Sequence, residues 1–172
     1  MDKNIVLIGF MGSGKTTIAR SLSQALDMEF IDMDHEIEQQ EEKTIKDIFR
    51  QDGETHFRNL ETAFLKTRMD DTNVILSTGG GVILKEENRE LLSRLGTVVL
   101  LYAEIEHIIN HIRGDEARKN RPLLQEKDYM DKIKELYKER EDLYLHAADL
   151  IIKCAGRTVA ELAEEIISKV NR

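Results

Sequence analysis

The apolar residues of this chain alternate between two rhythms. Five short runs are apolar almost without interruption and read as strands: Asn4–Ile8, Glu29–Asp32, Asn73–Ser77, Thr97–Tyr102 and Leu150–Ile152. Between them, apolar residues recur at helical spacing. Ile18, Ala19, Leu22 and Leu26 predict a helix over Thr16–Leu26, and a short helix is expected over His35–Gln40. Thr44 to Asp47 resembles a capping box with Asp in place of Glu, opening a helix that faces inward through Ile45, Ile48 and Phe49. Phe57, Leu60, Phe64 and Arg68 share one face of the next helix. Further helices are expected over Asn88–Leu95, Glu104–Ile112 and Tyr129–Leu145. Thr158 to Glu161 is a full capping box before a last helix whose inner face is Val159, Leu162, Ala163, Ile166, Ile167 and Val170. Arg113 to Pro122 has no apolar period and is expected to be a loop.

Continuous apolar strands alternating with helices predict a parallel sheet covered on both faces, a three-layer α/β/α architecture with five strands. Ligands in such folds bind beyond the carboxyl ends of the strands, so the turns after each strand carry the information.

Composition narrows this only slightly. The chain has 172 residues with no linker-like tract, and one domain over 1–172, acting as a monomer, is expected. A net charge of −8 argues against a nucleic-acid partner. No apolar run approaches membrane-spanning length, and no signal peptide is expected before the first strand. The single cysteine, Cys154, excludes an internal disulfide and suits a reducing, cytoplasmic setting, with Cys154 as a packing residue.

The chemistry begins after the first strand. Gly9-Phe-Met-Gly-Ser-Gly-Lys-Thr16 satisfies G-x4-G-K-[ST] between a strand and a helix, which makes it a phosphate loop. Its glycines let backbone N–H groups face inward, and the helix that follows adds its positive end. Lys15 reaches the β- and γ-phosphates, and the Thr16 hydroxyl ligates Mg²⁺. The chain has no N-K-x-D guanine motif, which favours ATP over GTP.

Asp32 and Asp34 end the second strand with both carboxylates on one side. One suits the Mg²⁺ shell and the other a proton acceptor for an attacking hydroxyl; alternatively, Asp34 caps the next helix. Arg140 lies on the apolar face of its helix, three or four residues from Leu136, Tyr137, Leu143 and Tyr144. Such an arginine needs an anion, either a substrate carboxylate or a buried protein carboxylate. Arg58 has Glu54 and Glu61 one turn away on either side, so it is a surface ion pair or a ligand contact that Glu61 orients. Gly79-Gly80-Gly81 directly follows a strand, as a flexible turn or as backbone that approaches a ligand. Arg113, Arg118, Lys119 and Arg121 make the expected loop basic, either a lid over ATP or a solvated loop, and Pro122 stiffens its end.

The phosphate loop to Thr17, Asp32-Met-Asp34, Phe57-Arg58 with Glu61, Gly79-Gly-Gly81, Arg121-Pro-Leu-Leu124 and Arg140, taken in this order, resemble the shikimate kinase family of the nucleoside-monophosphate-kinase group. The resemblance covers nearly the whole chain. It implies a P-loop fold with a lid at about 113–124 and substrate-binding helices at about 33–68. It implies that Gly12, Ser13, Gly14, Lys15, Thr16 and Thr17 hold the phosphates of ATP, and that Thr16, with Asp32 acting through water, places Mg²⁺. Asp34 would bind the attacking hydroxyl, and Arg58 and Arg140 would clamp the carboxylate of shikimate. Gly80 would donate a backbone N–H to the substrate. Arg121 would touch the transferring phosphate, and Arg157 would lie against adenine. The rival readings are another small-molecule kinase, such as a gluconate kinase, and a nucleotide-binding module without transferase activity.

Overall fold

A computed structural model of the chain describes residues 4–114 and 129–171, with the backbone alone over 111–114. Five strands, β1 (Asn4–Ile8), β2 (Glu29–Asp32), β3 (Val74–Ser77), β4 (Gly96–Tyr102) and β5 (Leu150–Lys153), form one sheet in the order β2-β3-β1-β4-β5. Every pairing is parallel, with Val6 opposite Leu76 on one side and Val98 on the other. The helices are α1 (Lys15–Leu26), α2 (Met33–Glu41), α3 (Ile45–Gln51), α4 (Glu54–Thr67), α5 (Glu86–Leu95), α6 (Ile105–Gly114), α7 (Tyr129–Ala147) and α8 (Val159–Val170). A short 3-10 turn, Val82–Leu84, follows the triple glycine.

The central strands are apolar because both of their faces are covered. All five residues of β1 and all four of β3 are buried. Each fully enclosed side chain such as Ile5 or Leu7 contributes about 1.5–3 kcal/mol of transfer free energy. The edge strands β2 and β5 keep exposed positions.

All the expected elements within the described residues are present, and the differences lie at their ends. Helix α2 begins at Met33, two residues early, because Asp32 caps it, and α5 begins at Glu86 rather than Asn88. Helix α6 runs through Gly114, so the backbone at Arg113 is helical and not loop. The remainder of the expected lid, with Arg118, Lys119, Arg121 and Pro122, lies outside the described residues. The Thr158–Glu161 capping box forms reciprocally, whereas Thr44 accepts from the Asp47 N–H and bonds the Asp47 side chain instead of closing a full box. Val159, placed on the inner face by its spacing, is 38% exposed; Leu162, Ala163 and Ile166 carry the contact with the core.

The order of the strands positions the site. From β1 the chain goes out to β2, returns to β3 between them, and then crosses β1 to reach β4. That reversal leaves a crevice beyond the carboxyl ends of β1 and β3. The phosphate loop leaves β1 there, and the triple glycine leaves β3 beside it. A Cβ added at Gly80 would lie 3.5 Å from the Met11 nitrogen and 3.8 Å from the Gly9 carbonyl oxygen.

At the opposite end of the sheet, Asn4 is a buried polar clasp. Its amide donates to the Asp71 carbonyl at 2.7 Å and the Leu95 carbonyl at 3.0 Å, and its oxygen accepts from the Val74 N–H at 3.0 Å. Asn4→Ala strands these partners and is expected to lower stability by about 2–4 kcal/mol, read as a fall in the denaturant midpoint at unchanged slope. A loss below about 0.5 kcal/mol would show that water replaces the side chain.

Candidate active site

The phosphate loop is shaped by glycines at positive φ. Gly9, Gly12 and Gly14 have φ of 153°, 76° and 84°, angles that L side chains rarely adopt. A Cβ at Gly9 would also lie 2.8 Å from both the Leu101 carbonyl oxygen and the Ser13 hydroxyl. Gly14 caps α1 without a side chain, so the first N–H groups of the helix open towards the loop. Lys15 Nζ bends over the loop and donates to the carbonyls of Gly9 (2.8 Å) and Phe10 (3.1 Å). Ser13 is buried with its hydroxyl unpartnered among the described residues.

Thr16 connects this loop to the aspartates. Its hydroxyl donates to Asp32 Oδ2 at 3.1 Å and lies 3.5 Å from the Ser77 hydroxyl. Asp32 Oδ1 accepts from the His35 N–H at 3.3 Å, so the residue that caps α2 is Asp32 and not Asp34. Thr16, Asp32 and Ser77 are hard oxygen donors at one point. No cluster of three acidic, histidine or cysteine side chains suitable for a metal occurs among the described residues. Mg²⁺ usually takes one or two protein ligands and fills its octahedron with water and phosphate oxygens, so this sparse set fits it.

With the capping role taken by Asp32, Asp34 is left facing the crevice from the first turn of α2. The residue is partly exposed, but its Oδ1 is enclosed and has no hydrogen-bond partner among the described residues. A Cβ at Gly79 would come within 2.6 Å of that oxygen. Burial, reinforced by the charge of Asp32 and opposed by Lys15, pushes the Asp34 carboxyl up to about 6.

Beside it lies Glu61 on α4, wholly buried. Its Oε2 accepts from Arg58 Nη1 at 2.8 Å, while Oε1 has no partner among the described residues. Burial raises its carboxyl to about 7, against the opposing charge and hydrogen bond of Arg58. Arg58 also pairs with Glu54 at 3.3 Å and lies over the rings of Phe57 and Phe49 at 5.3 and 5.8 Å. Only 12% of its side chain is exposed, so this is an enclosed pair and not a surface salt bridge. The guanidinium packs directly on Gly81, where a Cβ would fall inside it.

Arg140 on α7 is 7% exposed, its Nε is buried without a hydrogen bond, and it forms no ion pair among the described residues. Its charge opposes the effect of burial on Glu61 and on the phenol of Tyr144. The Tyr144 hydroxyl donates a hydrogen bond to the Gly80 carbonyl. The three glycines therefore each meet a different part of the site. Gly79 abuts Asp34 and Glu61, Gly80 abuts the phosphate loop and Tyr144, and Gly81 abuts Arg58.

The crevice thus gathers Lys15, Thr16, Asp32, Asp34, Arg58, Gly80 and Arg140. Arg157 stands apart after β5, held by Glu165 and by the carbonyls of Lys153 (3.3 Å) and Glu161 (3.1 Å). Arg121 lies outside the described residues. Cys154 is buried with its thiol pushed up to about 11, a packing residue as expected. Reading the sequence missed Ser77, whose signal was its place at the end of a strand paired to Asp32. It also missed Tyr144, which an apolar helix face makes indistinguishable from core.

The sequence profile described as "Shikimate kinase" matches residues 11–171. A shikimate kinase of Neisseria meningitidis serogroup C is 42% identical over 168 residues, covering 98% of this chain and 96% of that protein. Among solved structures, a shikimate kinase from Acinetobacter baumannii in complex with shikimate superposes with a TM-score of 0.92 at 38% identity, covering 99% of this chain and 94% of that one. A gluconokinase from Sinorhizobium meliloti shares the fold alone, at 15% identity and a TM-score of 0.59 over 99% of this chain and 93% of that one.

Proposed function

The chain belongs to the shikimate kinase family and catalyses ATP-dependent phosphorylation of shikimate, a step of aromatic amino-acid biosynthesis, and from that premise we propose how its residues divide the work. The acceptor is the 3-hydroxyl of shikimate and the products are shikimate 3-phosphate and ADP. Gly12 to Thr17 hold the phosphates through backbone N–H groups and the N-terminus of α1, with Lys15 on the β- and γ-oxygens. Thr16, with Asp32 acting through water, would hold Mg²⁺, which when bound neutralises developing phosphate charge. Arg58 and Arg140 grip the substrate carboxylate, and Gly80 meets the substrate through its backbone. Asp34 accepts a hydrogen bond from the hydroxyl and takes its proton as the oxygen attacks the γ-phosphorus. Arg121 stabilises the transferring phosphoryl group, and Arg157 lies against adenine. Most of the acceleration comes from alignment and charge compensation, because phosphoryl transfer asks little covalent chemistry of the protein.

The observation that carries this reading is Arg140. It is a buried cation without a protein anion among the described residues, in the crevice that also holds a proton acceptor and a phosphate loop. A substrate with both a carboxylate and a hydroxyl answers both groups. We propose that it acts as a monomer. Among the described residues no helix is long and apolar enough to cross a membrane, and the need for ATP supports a cytoplasmic enzyme. Phosphorus–proton correlation NMR of the product is expected to place the new phosphate on the 3-hydroxyl; a phosphate on another hydroxyl would contradict the assigned alignment.

The raised Asp34 carboxyl fixes a pH limb. Asp34 must be ionised to accept a proton, so kcat/KM for shikimate is expected to fall about tenfold per pH unit below about 6. A profile flat down to pH 5 would remove Asp34 from the role of base.

A further inference from the structure

A triplet of glycines has no side chains to fix its own backbone, so something else must hold it if it is to present fixed N–H groups to a ligand. Most of this triplet is held by close packing. Gly79 is wedged against Asp34 and Glu61, and Gly81 lies under Arg58. Gly80, which faces the crevice, is fixed differently, because its carbonyl accepts from the Tyr144 hydroxyl. Tyr144 is 3% exposed and sits one helical turn after Arg140, so both project from the same face of α7. Burial pushes its phenol up to about 12, so it remains protonated, and a donor, at any working pH.

We propose that Tyr144 is a positioning residue of the substrate site, whose hydroxyl pins the Gly80–Gly81 peptide and keeps the N–H groups of the triplet aimed at the bound hydroxy acid. This rests on the reading of Gly80 as a substrate contact. It adds that one face of α7 sets two elements of acceptor recognition, the carboxylate grip through Arg140 and the peptide orientation through Tyr144. The ATP half of the site is expected to depend on it far less, because the hydroxyl bonds the glycine triplet and not the phosphate loop.

Tyr144→Phe keeps the ring and its packing and removes the hydroxyl, which is both the donor to the Gly80 carbonyl and the group beside the Arg140 guanidinium, so the Gly81 resonance below is what separates the two. Its KM for shikimate is expected to rise about 5- to 20-fold, the loss of one buried hydrogen bond. The KM for ATP should stay within about twofold, and the thermal midpoint within a few degrees. The amide ¹⁵N resonance of Gly81, which follows the hydrogen-bonded carbonyl, should move in the variant without any ligand present. An unmoved Gly81 resonance with an unchanged shikimate KM would overturn the inference. So would equal rises in both KM values together with a large fall in midpoint, which would mark Tyr144 as packing alone. If the unsubstituted protein failed to turn over shikimate, the functional reading itself would fall, and this inference with it. Normal turnover with an unaltered variant would sink only the role of Tyr144.

Discussion

Asp34→Asn is expected to reduce turnover by about 10²–10⁴-fold while leaving the KM for ATP close to that of the unsubstituted enzyme. The substitution keeps shape and removes the proton acceptor, and the enclosed Asp34 Oδ1 hydrogen-bonds neither the phosphate loop nor Thr16 and Asp32. The same change should make the ligand-free protein more stable at neutral pH. The folded Asp34 carboxyl sits near 6 against an ordinary 3.8, so burial favours its neutral form. Below about pH 4 the group is protonated in both folded and unfolded chains, and its full contribution to stability is present. As pH rises through 6 the folded state must ionise an enclosed oxygen, and that contribution is lost. Asn cannot ionise, so the variant should gain on the order of 1–2 kcal/mol at pH 7–8 and nothing at pH 4, after allowing for the partial exposure of Asp34. Denaturant titrations at the two pH values read this directly. A variant that was inactive but no more stable at pH 8 would mean that the carboxylate is better solvated than its geometry implies.

Arg140→Met is the second large effect, and it also divides binding from stability. Truncating one partner of a buried charge pair costs about 2–5 kcal/mol, which here is about a 30- to several-thousand-fold loss of shikimate affinity. ATP affinity should hardly move. In the ligand-free protein, however, Arg140 has no ion-pair partner among the described residues, and its Nε is buried without a hydrogen bond. An apolar side chain of similar volume is easier to bury than an unpaired cation, so the variant should melt about 1–3 °C higher, corresponding to a gain of roughly 0.5–1 kcal/mol. Glu61 limits the gain, because Arg140 helps to hold its carboxyl down. Isothermal titration with shikimate and a melting curve on the same sample separate the two outcomes. Retained shikimate binding, or a large fall in melting temperature, would show that Arg140 serves the fold and not the ligand.

Both predictions turn on groups whose types were legible in the sequence but whose environments were not. The fold was readable because β1 and β3 are covered on both faces, which forces unbroken apolar runs, and because G-x4-G-K-T stands between a strand and a helix. Arg140 was readable as an arginine on an apolar stripe. The division of labour between Asp32 and Asp34 was not, because both suit a cap and both suit a ligand. The start of α2 at Met33 settles the cap on Asp32 and frees Asp34. Arg58 with Glu54 and Glu61 has the spacing of a surface ion pair; only the packing of α4 against the triple glycine shows Glu61 to be wholly enclosed. Tyr144 escaped for the opposite reason, since helical periodicity marks a buried tyrosine but does not say what its hydroxyl reaches. Arg121 and the rest of the expected lid remain readings of the sequence.

The most direct test of the central claim is the initial rate of ADP release with ATP and Mg²⁺ across a panel of acceptors: shikimate, gluconate, a shikimate analogue lacking the carboxylate, and water. Shikimate should give the highest kcat/KM, by about two orders of magnitude or more over gluconate and over the decarboxylated analogue, in keeping with a charge-paired carboxylate. Release of ADP into water alone should be slower still. Equal rates with gluconate, or ADP release indifferent to shikimate, would contradict the account.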